Sequence, residues 1–266
     1  MISRVDDTGV IRWGREQVRA GPWQGDSRVA YLVPFSSGPT LSVGFVRWAM
    51  AELGARGFSR VVTNALAPVD QVAFLGAGFE VQERLHLLSH DLQALPEHRA
   101  LEVRTAGGEA ATGHRRARPS DHPAVLDLDA RAFPAFWRLD APGLDDALAA
   151  TPRTRLRVIT LGGDVVAYAL TGRAGRRGFL QRLAVDPVHR RQGLGRELVL
   201  DALEWLRRRR VGRVVVNTPA GNEAGLALYQ SLGFRRQQRG LSVLGARLGT
   251  VAESRPWAAR RAQAKQ

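Results

Sequence analysis

Several glycines and arginines lie in the segment Leu183–Arg196, which has the sequence LAVDPVHRRQGLGR. In this segment an apolar run is followed by a polar turn. The run reads as a strand that ends at an Asp-Pro pair, after which the pattern R-x-x-G-x-G opens a helix. Gly193 and Gly195 allow a tight turn and the close approach of another group to bare backbone. Free N–H groups at a helix start attract anions, and three arginines add charge-assisted donors: Arg190, Arg191 and Arg196. The segment is therefore a candidate site for a diphosphate.

A second segment, residues 222–234 with the sequence NEAGLALYQSLGF, places an amide and a phenol on one predicted helix. Asn222 and Tyr229 are seven residues apart, so at about 100° per residue they face the same side two turns apart. Both side chains can then contact one bound molecule. The apolar residues expected on the buried face are Ala224, Ala227, Leu228 and Leu232. For a lone tyrosine at helical spacing, packing in the core would be the commoner role.

An internal repeat places these segments in a larger unit. Residues 37–64 align with residues 190–217 at an offset of 153 without gaps, and nine of the 28 positions are identical. After a slip of two residues, Gly78-Phe79 aligns with Gly233-Phe234. Each copy reads as helix, turn, strand, loop, helix, Gly-Phe and a further strand. Two domains related by duplication are the expected architecture.

The elements before the second copy can also be predicted. Residues 122–132 and 144–150 have helical patterns, and residues 179–185 read as a strand. Two apolar runs, at 155–160 and 165–170, flank Gly162-Gly163, which is typical of a hairpin.

In this order, and about 30 residues apart, the two segments resemble the GNAT superfamily of acyl-CoA N-acyltransferases over about 135 residues of the C-terminal half. The resemblance implies an α/β (α+β) fold of two tandem GNAT-like domains, each a mixed, splayed sheet flanked by helices. It implies that acetyl-CoA is the co-substrate and that the backbone of Leu183 and Val185 pairs with its pantetheine arm. The other implied co-substrate contacts are Arg190, Arg191, Gln192, Gly193, Gly195, Arg196 and Asn222. Tyr229 takes the place of the general acid that protonates the departing CoA thiolate.

The position of the usual general base differs from the family pattern. Many members carry a glutamate on the strand before the asparagine, where this chain has Asn217, which cannot accept a proton. Deprotonation is then left to water, to a residue such as His122 or Asp129, or to an amine that is already partly neutral. Near pH 7.5 an α-amine of pKa about 8 is roughly a quarter neutral, whereas a lysine of pKa about 10.4 is only about a thousandth neutral. An α-amine or another low-pKa amine, on a small molecule or a peptide, is therefore the favoured acceptor, and residues 131–137 are similar to the acceptor-side loop of ribosomal-protein alanine acetyltransferases.

The first copy lacks this chemistry. Residues 37–42 read SGPTLS, without the arginines or the glycines in register, and Phe74 stands at the position of Tyr229. A phenyl ring cannot donate a proton. The arrangement resembles tandem GNAT proteins with one degenerate half, such as the mycothiol synthases. The predicted division is a truncated, non-catalytic domain at 1–101, a linker at 102–113, a catalytic domain at 114–250 and a mobile basic tail at 251–266.

Composition restricts the remaining possibilities. The chain has no cysteine, which excludes disulfides, thiolate catalysis and cysteine-ligated zinc, and its six histidines lack the spacing of a metal site. The sequence has no apolar run long enough to span a membrane and no signal-peptide pattern, so a cytoplasmic protein without a membrane partner is expected. Residues 1–100 hold ten arginines and ten acidic residues, so the net charge of +14 arises after residue 100.

Two alternatives to an acetyltransferase remain open. The missing glutamate permits a non-catalytic acyl-CoA-binding protein, although the retained Tyr229 argues against it. The basic surplus permits an RNA- or ribosome-associated module. Because Lys265 is the only lysine, the choice of arginine more often reflects a GC-rich genome than selection for phosphate binding, and nucleic acid is the less favoured partner.

Overall fold

The chain folds into two compact units, which are described separately. The first comprises Met1–Leu85 and Arg239–Gln266, and the second comprises His86–Gln238. The computed structural model describes residues 4–5, 9–24, 26–35, 38–93, 95 and 112–249. Most of the predicted linker and all of the predicted basic tail lie outside these ranges.

The first unit is built on antiparallel strands followed by a helix–strand–helix segment. Its elements are β1 (Arg4–Val5), β2 (Val10–Trp13), β3 (Glu16–Trp23), β4 (Asp26–Pro34), α1 (Val43–Ala55), β5 (Arg60–Val62), α2 (Pro68–Gly76) and the start of β6 (Glu80–His90). Strands β1 to β4 pair antiparallel in chain order, and β5 joins β4 in parallel. Among the described residues before α1 the chain forms strands only, as expected of a copy with missing or rebuilt opening elements.

A strand from the far end of the chain completes the first unit. Strand β13 (Leu241–Arg247) pairs antiparallel with β5 and with the Glu80–Leu85 part of β6. The sequence placed residues 241–247 in the C-terminal domain. Their hydrogen-bonded partners place them in the first unit instead.

The second unit contains a mixed sheet with helices on both faces. Its elements after β6 are β7 (Thr112–Arg116), α3 (His122–Ala132), α4 (Ala141–Ala149), β8 (Arg153–Leu161), β9 (Asp164–Ala174), β10 (Arg177–Val185), α5 (Leu194–Arg207), β11 (Arg213–Pro219), α6 (Glu223–Ser231) and β12 (Arg235–Arg236). Strands β7 to β10 pair antiparallel in chain order, and β11 runs parallel to β10. One core packs against α5 and α6 and another against α3 and α4. The predicted open α/β sheet flanked by helices is confirmed.

Strands β10 and β11 separate part of the way along their length. Their ladder has three residue pairs, from Arg177 with Arg213 to Phe179 with Val215, although β10 continues to Val185 and β11 to Pro219. On its other side β10 stays paired with β9 up to Val185 and Ala167, with an irregularity at Gln181. Residues 180–185 of β10 therefore have no ladder partner in β11 on that edge. This separation is the splay that the family resemblance implied.

No helix within the described ranges combines the length and the apolar character needed to cross a membrane. The same ranges contain no group of three or more residues arranged to hold a metal ion.

Candidate active site

The turn that follows β10 is held by a buried carboxylate. Asp186 accepts hydrogen bonds from the backbone of Val188 at 3.1 Å and from Arg131 Nη2 at 2.8 Å. Burial acts to raise the pKa of Asp186, but these partners outweigh it and hold the pKa below its ordinary value. Asp186 therefore stays ionised and fixes the path of the chain into α5.

Helix α5 begins at a left-handed glycine. Gly193 has φ of 83°, a conformation that strains any residue with a side chain. The Gly193 carbonyl accepts from Glu197 N at 3.0 Å, so the N–H groups of residues 194–196 precede the first bond of the helix. Both the glycine and the open helix start match the anion site expected from the sequence.

The arginines of this loop are available to a ligand. Arg190, Arg191 and Gln192 are exposed, whereas Gly193 and Arg196 are half-buried. Arg190 Nη2 contacts the Ala132 carbonyl at 3.4 Å. In the part of the chain that the structure describes, none of the three loop arginines pairs with a carboxylate, so their charge is not neutralised by the protein there.

Gly195 is the point where the predicted site elements meet. A methyl group placed on its Cα would lie 3.3 Å from Leu228 Cδ2, 3.6 Å from Val185 Cγ2 and 3.9 Å from Leu183 Cδ2. The start of α5, the end of β10 and the helix that carries Tyr229 therefore lie close together around Gly195. A side chain at this position would be tight against Leu228.

Tyr229 lies in the hydrophobic core of the second unit, on the helix whose Leu228 is near Gly195. Its side chain is 6% exposed, and its ring centroid is 5.7 Å from that of Phe234. Burial raises the pKa of the phenol, so the group stays protonated at neutral pH. Among the described residues the Tyr229 hydroxyl makes no hydrogen bond.

Asn222 is exposed and caps α6. Its Oδ1 accepts from Gly225 N at 3.0 Å, and its Nδ2 donates to Thr218 Oγ1 at 2.9 Å. Since the N-cap residue lies outside the regular helix, the 100° rule does not place Asn222 on the face of Tyr229. The predicted buried face is also partly wrong: α6 packs through Tyr229 and the adjoining Leu232, whereas Ala224 and Ala227 are exposed.

Asn217, which stands at the usual position of the base, is exposed on β11. Of the two candidate bases, His122 is half-buried at the start of α3. Asp129 is fully buried and accepts from Arg182 Nε at 2.6 Å, from Leu139 N at 2.7 Å and from the Tyr168 hydroxyl. Because a cation and two donors occupy its oxygens, Asp129 is a structural carboxylate and a poor proton acceptor.

The sequence reasoning missed a second ionic cluster on α5. His114 of β7 sits between Glu197 Oε1 at 2.8 Å and Asp201 Oδ1 at 2.7 Å, and Asp201 also pairs with Arg155. Hydrogen bonds to Asp201 and Glu197 raise the pKa of His114 to about 9. The sequence feature that could have predicted this cluster is the acidic pair Glu197 and Asp201, four residues apart within the apolar stripe of α5.

Comparisons with known proteins agree with this geometry. Residues 122–234 match the Acetyltransferase (GNAT) family. The chain is similar to the [Ribosomal protein bS18]-alanine N-acetyltransferase of Escherichia coli K12, with 40% identity over 117 residues, 43% of this chain and 75% of that protein. It is also similar to the N-alpha-acetyltransferase RimI of Mycobacterium tuberculosis, with 37% identity over 79 residues, 28% of this chain and 48% of that protein.

Solved structures share the fold across both units. A tandem GNAT protein from the clavulanic acid biosynthesis pathway has a TM-score of 0.63 at 15% identity, covering 90% of this chain and 82% of that chain. A GCN5-related N-acetyltransferase from Sphaerobacter thermophilus has a TM-score of 0.59 at 16% identity, covering 88% and 77%. At such identities the likeness concerns the fold.

Proposed function

The chain belongs to the GNAT family of acetyltransferases, and we propose that its second unit transfers the acetyl group of acetyl-CoA to a primary α-amine by direct attack. The names of the two relatives describe acetylation of an alanine and of α-amines, which supports an acceptor of this type. The first unit is proposed to be non-catalytic. Its missing arginines and Phe74 support that assignment.

The observation that carries the proposal is the junction at Gly195. The start of α5 after the anion-binding loop, the open edge of β10 and the helix of Tyr229 lie close together there. A bound acetyl-CoA would place its diphosphate on the N–H groups at the start of α5, beside Arg190, Arg191 and Arg196. Its pantetheine arm would pair with the unpaired edge of Leu183 and Val185. The residues present therefore suit the co-substrate.

The proposed chemistry needs one proton donor on sulfur. The neutral amine attacks the thioester carbonyl carbon, the carbon–sulfur bond breaks, and the departing thiolate takes the proton of the Tyr229 hydroxyl. Burial keeps that proton on the phenol until charge develops on sulfur. The ammonium that forms at nitrogen loses its extra proton to water, and the phenolate regains a proton from solvent. No protein base is required if the amine reaches the site neutral.

Acetyl-CoA binding and CoA release test the proposal together. Titration calorimetry should show acetyl-CoA binding that Arg191→Gln and Arg196→Gln each weaken by about tenfold or more, because each removes a charge-assisted bond of roughly 1.5–3 kcal/mol. Arg15→Gln, at an exposed site of the first unit, is the matched control. CoA release should be faster with peptides that offer a free α-amine than with Nα-blocked lysine peptides. Binding without CoA release from any amine would make the protein an acyl-CoA-binding protein only.

A further inference from the structure

A second charged site lies at the opposite end of α5 from the anion-binding loop. A cavity of about 380 Å³ is lined there by Arg116, Arg153, Arg155, Arg173, Trp205 and Arg209. Helix α5 is 14 residues long, or about 21 Å, so this cavity is well separated from the start of the helix. The proposed acetyl transfer uses none of these residues.

The charge in the cavity is largely uncompensated. Asp201 pairs with Arg155, but it is also bound to His114. Over the ranges that the structure describes, Arg116, Arg153, Arg173 and Arg209 pair with no carboxylate. Four guanidinium groups thus share one concave surface without an anion of the protein beside them there, which favours an anionic ligand.

The strand register brings further arginines together at the same end of the sheet. Arg153 of β8 lies directly opposite Arg173 of β9, and Arg177 of β10 lies opposite Arg213 of β11. Like charges directly opposite each other destabilise a sheet. Two such pairs occur at the end of the sheet where β8, β10 and β11 begin. Each pair is expected to lower the stability of the sheet.

The basic surface extends beyond the cavity. We name the cavity arginines the basic end; Arg177 and Arg213 lie on the other face of the sheet, because Gly178 rather than Arg177 is paired with Arg173. Strands β7, β8 and β9 contribute to the basic end, and at about 4.8 Å per strand they span about 10 Å. The exposed run 207–210 at the end of α5 adds to it, and the nearby Glu204 is paired with Arg208. A surface of this length suits an extended polyanion better than a single phosphate group.

We propose that the basic end binds the phosphodiester backbone of a nucleic acid. Guanidinium groups match phosphate geometry and stack on aromatic rings. Trp205 lies beneath two of them, with Arg209 Cζ at 4.5 Å and Arg155 Cζ at 5.7 Å from the ring centroid. A positively charged groove that follows the backbone is one component of a single-strand binding surface.

The test compares two triple variants of the full chain that remove the same charge. Arg153→Gln, Arg173→Gln and Arg209→Gln together alter the basic end, while Arg12→Gln, Arg15→Gln and Arg56→Gln alter exposed positions of the first unit. The probe is a fluorescein-labelled single-stranded RNA of about 15 nucleotides, followed by anisotropy between about 50 and 200 mM salt. A DNA strand and a duplex of the same length form parallel arms, and polyglutamate is the competitor.

The wild type and the first-unit variant should bind the RNA with affinity that falls steeply as salt rises. The basic-end variant should bind at least about tenfold more weakly, with a salt slope smaller by about 2, because three phosphate contacts are lost. Its melting temperature should be equal or higher, since the repulsion between Arg153 and Arg173 is relieved. No binding at 50 mM salt, equal binding by both variants, or full displacement by an equal charge of polyglutamate would overturn the proposal.

Discussion

The helix–strand–helix segments of the two units share their packing and differ in their chemistry. Helices α2 and α6 are both nine residues long and both precede a Gly-Phe pair. Phe74 packs on Phe79 with ring centroids 5.1 Å apart, and Tyr229 packs on Phe234 at 5.7 Å. The first pair shows that this packing needs no hydroxyl group. Packing therefore does not account for the oxygen of Tyr229.

The N-terminal ends of helices α1 and α5 also differ in their chemistry. Helix α1 is capped by Ser42, whose Oγ accepts from Phe45 N at 3.1 Å. The Glu16 carboxylate binds the Ser42 backbone N–H and, at 3.0 Å, the Ser42 hydroxyl. The first unit thus places a carboxylate at the start of α1, whereas among the described residues no carboxylate pairs with Arg190, Arg191 or Arg196 near the start of α5.

The largest expected effect is on Tyr229. Tyr229→Phe should lower kcat by about 10²–10⁴ and leave acetyl-CoA affinity nearly unchanged, as the loss of a general acid should. Steady-state CoA release and calorimetry measure the two quantities. The packing around Phe74 indicates that phenylalanine is tolerated at this position, so the melting temperature should change little.

The reciprocal change, Phe74→Tyr, is the control. It should leave the rate of CoA release as it is, because the first unit lacks the arginine loop that would hold the co-substrate. An unchanged kcat in Tyr229→Phe would remove Tyr229 from the mechanism and reduce the difference between the two helices to a packing detail.

A smaller expected effect concerns the stabilisation of α5 by His114, which α1 lacks. Glu197 and Asp201 of α5 form ion pairs with His114. The aligned residues of α1 are Gly44 and Trp48, which cannot form such pairs. The pKa of His114 rises from 6.5 to about 9 on folding. Its contribution, on the order of 2–3 kcal/mol, is therefore fully present below pH 6.5 and is lost as the pH rises through 9.

Hydrogen exchange of α5, corrected for the intrinsic effect of pH and referenced to α1, measures this contribution. The opening free energy of α5 should fall between pH 6.5 and 9.5, and His114→Gln should lower it at pH 6.5 and flatten its pH dependence. His122→Gln, at the start of α3, is the matched control. Equal pH profiles for α5 in the wild type and in His114→Gln would show that the ion pairs of His114 with Glu197 and Asp201 do not stabilise α5.

Local patterns in the sequence predicted most of this architecture. The helix at 122–132, the hairpin at Gly162-Gly163 and the repeated helix–strand–helix segments all appear where expected. Helix α4 starts at Ala141 rather than at 144, because Asp140 caps it and Pro142 lies in its first turn. These features depend on residues close in sequence, which periodicity and capping patterns report directly.

Features that depend on distant residues were not predictable in the same way. Strand β13 pairs with strands more than 150 residues earlier in the chain. Glu16 reaches Ser42 across 26 positions, and the role of Asp129 depends on Arg182. Such pairings follow from tertiary packing, which a single sequence does not encode in any local pattern. The loop arginines and Tyr229 are assigned from the family pattern, which groups them within 40 residues, and their roles stay predictions.

The smallest expected effect concerns the internal anion of the first unit. Glu16→Gln keeps an acceptor for Ser42 but removes the charge near the start of α1, which should cost about 0.3–1 kcal/mol. Ser42→Ala removes the cap itself and should cost about 1 kcal/mol. Because the two side chains bond to each other, their double variant should lose less than the sum in urea unfolding. Strict additivity would show that Glu16 and Ser42 do not act together at the start of α1.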